Sequence, residues 1–474
     1  IDAGASGEPY AYVIPPGQWD PGAAARLVEV LRIGGIDVQR AGAEFTAGGR
    51  TFPSGSIVVP MAQPFRAYAK DLLEPQRYPD LRQYPNGPPL RPYDITGWTL
   101  PAQMGVEGLM VAKPFQAALQ PVAAGPVEAG GVSGTGSVFV APARANAAYL
   151  LANRVLKAGG EVSRAKTTFQ AGGVSFEAGA FILKGGLDRG AVETLARERG
   201  LRVAAVEGAP GVDLARVRPL RVGVYKPWVP TIDEGWTRWL LEQFEFPYRT
   251  ITDADVRRGG LEDALDVIVI PDVERAQPTR TLLEGNAPGT VPPEYTGGLG
   301  LEGALALKDF VRAGGTLVTL DSASDFAIDL FGLGVRNVLR GLSSQEYYAP
   351  GGLLRITADP SQPLAWGLPP NVVAFVENGP AFEQETEREE GEELPAAAPN
   401  ARAAARIAAR FADKDVLYSG WLLGESRIAR KAALVEVPLD KGRVVLIGFR
   451  PQFRGQSHAT FKVLFNALMR GAGD

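Results

Sequence analysis

A segment of the chain is written twice, and this duplication constrains the fold more than any other feature. The first copy runs from about Tyr10 to Met61. It reads as a strand (Ala11-Tyr12-Val13-Ile14), a helix from Gly22 to Ile33, and a stop at Gly34-Gly35. A short strand (Asp37 to Arg40), a Phe45-Thr46-Ala47-Gly48-Gly49 hairpin signal and a closing strand Ile57-Val58-Val59 follow. The second copy runs from about Ser137 to Gly185 in the same order: Val138-Phe139-Val140, a helix from Ala145 to Lys157, Gly159-Gly160, Phe169-Gln170-Ala171-Gly172-Gly173, and Phe181-Ile182-Leu183. Glycine past a helix end accepts the left-handed conformation that terminates helices. The Ala-Gly-Gly triplets suit tight hairpin turns. Two β-α-β-β modules are therefore expected to pack as a pair.

Between the copies lies a connection from Pro64 to Val122, rich in proline and carrying Arg77, Tyr78, Arg82, Tyr84, Arg91, Tyr93 and Trp98. A segment this long without obvious elements either straps packed units together or serves a function. The strap reading places it over the two modules. The functional reading makes Arg66, Arg77, Tyr93 and Trp98 interface residues, since Arg and aromatic side chains are enriched at interfaces.

A third region begins near Pro219. Strands are expected at Arg221 to Tyr225, Tyr248 to Ile251, Asp266 to Ile270, Thr316 to Leu320 and Arg443 to Ile447. Helices are expected at Asp233 to Phe244, Leu301 to Ala313 and Ser457 to Met469, with a capping box opening at Thr252. Trp236, Trp239, Leu240 and Phe244 fall at helical spacing and read as core. Strands alternating with helices predict a doubly wound, mostly parallel sheet. The α/β chain then divides into a first module (1–64), the strap (65–130), a second module (131–215) and the larger domain (216–474), with insertions at about 277–300 and 374–413. At roughly 150 residues per domain, 474 residues suit this division. The second insertion carries seven Glu between Glu383 and Glu393, a solvated run without the loop grammar of a calcium site.

Composition removes whole classes of chemistry. There is no cysteine and one histidine, His458, so thiol nucleophiles, Cys-ligated metals and multi-histidine sites are excluded. A net charge of −4 argues against nucleic-acid binding. No apolar run is long enough to span a membrane. The chain opens Ile1-Asp2-Ala3-Gly4, without a leader, and reads as a mature product or a piece of something longer.

In open α/β sheets, ligands gather at the carboxyl ends of strands. Those ends carry Lys226 and Trp228, then Asp272, then Asp321 and Ser322, and finally Arg450 and Arg454, which together make a candidate ligand-binding group. The structural alternative is that Ser322-Ala323-Ser324-Asp325 and Asp321 cap the next helix. A Ser322–His458 hydrolase lacks the Gly-x-Ser-x-Gly elbow, and His458 reads as a surface residue of a first helical turn. No residue is assigned a catalytic role or a metal.

Several stretches together resemble a known family: Tyr12-Val13-Ile14-Pro15-Pro16 with Gln18-Trp19-Asp20-Pro21; Met61 to Glu74; Pro92-Tyr93-Asp94-Ile95-Thr96-Gly97-Trp98; and Gly448-Phe449-Arg450-Pro451-Gln452-Phe453-Arg454-Gly455-Gln456. They are similar to the region downstream of the catalytic domain in large bacterial zinc carboxypeptidases of the carboxypeptidase A type. The third region resembles the class I glutamine amidotransferase-like fold. The resemblance implies a non-catalytic accessory region, secreted or periplasmic, whose partners are the peptidase domain of the same parent protein and a peptide substrate. Zinc is expected only in that catalytic domain, because none of the family's ligands maps onto this chain. The amidotransferase-like nucleophile position, after Leu320, carries Asp321 and Ser322 in place of cysteine. Two alternatives stand beside it: a peptide- or carbohydrate-binding module using Tyr93 and Trp98, and a self-sufficient hydrolase built on Asp321, Ser322 and His458.

Overall fold

In the first module, Asp20 sets where the first helix begins. Its carboxylate accepts from the backbone N–H groups of Gly22 (3.0 Å) and Ala23 (3.4 Å), and Pro21 supplies a pre-set φ at the first helical position. The helix buries Ala23, Ala24, Leu27, Val28 and Leu31 and stops at the Gly34-Gly35 pair. This is seen in a computed structural model that describes residues 4, 7–122, 128–273, 277–385 and 404–471.

The module's elements are β1 (Ala11–Ile14), α1 (Pro21–Ile33), β2 (Gln39–Ala41), β3 (Phe45–Ala47), β4 (Arg50–Phe52) and β5 (Ile57–Pro60). The strap contributes α2 (Arg66–Leu73), α3 (Leu100–Met104), β6 (Leu109–Val111) and β7 (Leu119–Pro121). The second module has β8 (Gly131–Ser133), β9 (Val138–Ala141), α4 (Asn146–Lys157), β10 (Glu161–Ala165), β11 (Phe169–Ala171), β12 (Val174–Phe176), β13 (Phe181–Lys184), α5 (Arg189–Arg199), β14 (Arg202–Val206) and β15 (Leu214–Val217). One pairing pattern serves both sheets. The order β6-β1-β5-β2-β7 is matched by β14-β9-β13-β10-β15, and each copy carries its own hairpin, β3-β4 and β11-β12.

One carboxylate caps both repeat helices. The second oxygen of Asp20 accepts from the backbone N–H of Asn146 at 2.9 Å, the first residue of α4, whose own preceding residue Ala145 offers no cap. The strap packs on the modules and reaches the third region as well. Its helices add Ala69, Leu73, Leu100 and Met104 to the first module's core. Its middle is tied to the third region: Thr96 and Gly97 donate to Gly351 O at 2.7 and 3.0 Å, and Tyr78 stacks on Trp421 at 5.7 Å. The prolines remove some backbone donors, and side chains add to the tying. Thr99 Oγ1 and Ser419 Oγ meet at 2.9 Å.

The third region opens with β16 (Val222–Tyr225), α6 (Ile232–Gln243), β17 (Tyr248–Ile251), α7 (Asp253–Arg257), β18 (Val267–Ile270), α8 (Pro278–Glu284), α9 (Gly300–Ala313), β19 (Thr316–Leu320) and α10 (Ser324–Phe331). It continues with β20 (Val335–Asn337), β21 (Gly352–Ala358), β22 (Asn371–Val376), β23 (Phe382–Gln384), β24 (Arg406–Phe411), β25 (Leu417–Ser419), α11 (Glu425–Ile428), β26 (Ala432–Leu439), β27 (Gly442–Ile447) and α12 (Phe461–Arg470). The Thr252–Asp255 capping box is present at the start of α7. The sheet runs β17-β16-β18-β19-β27-β26-β24-β21-β22. Its first five strands are parallel. Large apolar cores lie on both faces.

The chain is thus a mixed α/β protein with several sheets, two of them partly parallel among the described residues, and the expectation of a mostly parallel sheet is corrected. β26 returns into β27 across Asp440 and Lys441 alone, too short for a crossover, so from there the pairing is antiparallel. The expected insertion at 374–413 is corrected too. Residues 371–376, 382–384 and 406–411 are sheet strands. The acidic run itself, 383–393, lies mostly outside the described residues; Glu383 within it pairs with Arg336 at 2.6 Å and Lys431 at 2.5 Å. Segment 277–300 holds α8 and a short 3-10 turn.

Candidate functional site

The parallel strands end in a cleft of about 500 Å³ between the strap and the third region. Arg450, three residues after β27, forms its inner wall and is almost wholly buried. Four carboxyl groups surround this one guanidinium. Asp272, just past β18, lies 2.7 Å from Nη2. Asp233, in the first turn of α6, and Glu377, directly after β22, each lie 3.3 Å from Nη1. Asp321, directly after β19, lies 3.8 Å from Nε. Gln452 braces the group from behind, donating to Thr237 Oγ1 at 3.0 Å. A buried charge is tolerated only when paired, and the arrangement satisfies that from both sides.

Asp321 has a left-handed backbone, φ +49°. This conformation is uncommon outside glycine and is held by surrounding structure. Gly379 gives it room: a Cβ there would approach Asp321 Oδ1 to 2.7 Å. Burial pushes the Asp321 carboxyl well above the usual carboxylate range, and Asp272, Asp233 and Glu377 add to the shift against the pull of Arg450. The protonated form of the Asp321 side chain is thereby favoured within an acidic nest. Ser322 donates both its backbone N–H (3.2 Å) and its hydroxyl to Asp272 Oδ1. This corrects the capping expectation. Asp321 to Ala323 form a 3-10 turn, and α10 starts without any side-chain cap, because the Ser322 hydroxyl is already committed to Asp272.

The outer part of the cleft is aromatic. Trp236, Tyr348, Phe453 and Tyr93 line it with Arg91, Asp94 and Arg454. Trp236 and Trp239 are not core, contrary to expectation: Trp239 is 37% exposed. The buried face of α6 is instead Asp233, Glu234, Thr237, Leu240 and Leu241, because Asp233 and Thr237 face the polar cluster. Arg454 is held by Asp94 of the strap through two bonds, 2.9 and 2.7 Å.

The structure thus brings together Asp272, Asp321, Ser322 and Arg450 and sets Arg454 and Tyr93 at the same cleft. Lys226 and Trp228 stand apart: the ammonium lies over the Trp228 ring (5.9 Å), which packs edge-on against Tyr295 (5.0 Å). Of the strap residues, Arg66 donates to Glu8 O at 3.0 Å, Arg77 bridges Gly420 through its backbone, and the Trp98 indole donates to Asp71 O at 3.1 Å. These three do not line the cleft. His458 does not line it either, and it is half-buried rather than free on the surface. It precedes α12, which begins four residues later than expected, and its ring lies against Phe461 at 4.6 Å. Burial, with Arg26 and Lys462 nearby, pushes its pKa down to about 3.

Sequence reasoning missed Asp233, Glu377 and Trp236. Asp233 is the first-turn acid of the helix that follows β16, a position that could have been read from the strand-end rule. Among the described residues no group of three or more His, Asp or Glu side chains is arranged to hold a metal ion. The carboxylates that converge do so on a guanidinium.

No protein-family model matches the chain. No curated protein is significantly similar to it. Among solved structures, a β-galactosidase from Bacillus circulans is 15% identical over 54% of this chain and 31% of its own, with a TM-score of 0.30. This chain therefore spans about a third of that enzyme's length. A candidate GMP synthase component from Thermoplasma acidophilum is 10% identical over 54% of this chain and 95% of its own, TM-score 0.32. A candidate ThuA-like protein from Bacteroides uniformis is 10% identical over 55% and 94%, TM-score 0.30. Likenesses this weak carry no argument about function.

Proposed function

We propose that the chain is a non-catalytic, ligand-binding accessory region of a zinc-carboxypeptidase-like protein. In this reading its third region is an amidotransferase-like unit that has exchanged its nucleophile for a structural acid. The observation that carries the reading is the turn after β19. There a strained backbone presents Asp321, which is sealed inside and directed at Arg450 rather than open to the cleft. An elbow built in this way holds a wall together and offers no attacking atom. The cleft in front of it has the size and the mixed aromatic and polar lining of small-ligand sites. The stretches that resemble the carboxypeptidase region favour short peptides as the occupant. Fold alone would not license that step.

Two assays test the proposal on the chain as it stands. Release of C-terminal residues from peptides is expected to be nil with or without zinc. Titration with short peptides is expected to change the fluorescence of Trp236, lost in Trp236→Phe. Chelator-sensitive hydrolysis by this chain would overturn the proposal, and so would peptides that leave its fluorescence unchanged.

A further inference from the structure

We infer that the cleft takes a short peptide in its zwitterionic form, with the ammonium end toward Asp233 and Glu377 and the carboxylate end toward Arg91. The inference rests on the ligand-binding reading above and names the ligand's chemistry. It starts from the charges at the two ends of the cleft. At the inner end, four carboxyl groups share the single charge of Arg450. Even with Asp321 neutral, the inner wall keeps an excess of negative charge. Glu377, a third exposed, brings that excess to the cleft surface, with Asp233 buried behind it.

The outer end has the opposite bias. Asp94 neutralises Arg454 through a two-bond pair. Arg91, exposed on the strap, forms no hydrogen bond or ion pair among the described residues. The mouth therefore carries one uncompensated positive charge. Between the ends run Trp236 and Phe453, apolar surfaces against which a side chain or a peptide plane can stack. A dianion such as a phosphate ester would meet the acidic wall and be repelled. An internal peptide segment carries neither terminal charge. A dipolar molecule of two or three residues is the one that matches both ends.

Calorimetric titration of the whole chain with three probes tests this: glycyl-phenylalanine, its N-acetyl derivative and its C-terminal amide. The free dipeptide is expected to bind, and each capped form about tenfold more weakly, the scale of one charge-assisted contact. Arg91→Ala is expected to abolish the difference between acid and amide while preserving the loss on acetylation. Glu377→Gln is expected to do the reverse. Equal binding of all three probes would overturn the zwitterion and leave the cleft a peptide site. Preference for the acetylated form would overturn it as well. Failure of every probe to bind would overturn the ligand-binding reading with it.

Discussion

At the residue scale, Asp321 is the position whose chemistry departs furthest from the ordinary. A buried acid with a raised pKa favours the folded state in its neutral form. Its contribution is complete below the unfolded value of about 3.8 and is lost as pH rises through the raised folded value. Asn matches the neutral acid in shape, carries no charge at any pH, and tolerates a left-handed backbone. Asp321→Asn is thus expected to melt with the wild type near pH 4 and above it as pH rises to 9. The gain should be on the order of 1–3 kcal/mol, the cost of a poorly satisfied buried polar group. Parallel melting curves across that range would show that the acid is not strained by ionisation. The strand-end rule was enough to select Asp272, Asp321, Ser322 and Arg450 from sequence, because each lies within three residues of an apolar run. Glu377 escaped it. The strand it ends is followed by Asn378-Gly379-Pro380 and then the acidic run, a context that reads as loop.

At the element scale, the duplicated helices are held by one residue. Asp20 satisfies two N–H groups of α1 and one of α4. Its loss therefore acts on both modules. A lost N-cap costs about 1 kcal/mol, and an orphaned buried N–H costs a further 1–3 kcal/mol. Asp20→Ala is expected to lower unfolding free energy by about 2–4 kcal/mol in urea, and Asp20→Asn to restore part of it. A loss no larger than that of a single surface cap would mean that the second helix does not depend on Asp20. The helices themselves were legible, since their apolar stripes and Gly stops are local signals. The shared cap was not, because the two halves of the bond are 126 residues apart. The antiparallel half of the large sheet was hidden for a related reason. Strand direction depends on which partner a strand finds, and the short runs 406–411 and 417–419 carry no periodicity that reveals it.

At the scale of the whole molecule, the units meet around the start of α12. Asn146 of the second module donates to His458 O at 2.9 Å, and Ala459 N donates to Gln103 O of the strap at 3.0 Å. Further along, Asn466 accepts from Tyr149 and Arg164, both at 2.8 Å, and donates to Leu364 O and Trp366 O. His458 sits at this junction with two cations as neighbours, Arg26 from the first module and Lys462 from α12. Its neutral form is the folded form. The stability it contributes is present above about pH 6.5 and is lost as pH falls toward 3, so acid acts where the units join. Carboxylates titrate in part of the same window, so the informative quantity is the difference between wild type and His458→Gln, which keeps a polar side chain without a proton to gain. Relative to neutral pH, that difference is expected to shift by about 2 kcal/mol in favour of the variant at pH 5. The shift should show as a flatter dependence of melting temperature on pH. Limited proteolysis at pH 5 is expected to release module fragments from wild type sooner than from the variant. A difference that does not move with pH would place the acid sensitivity of the assembly elsewhere than in this imidazole.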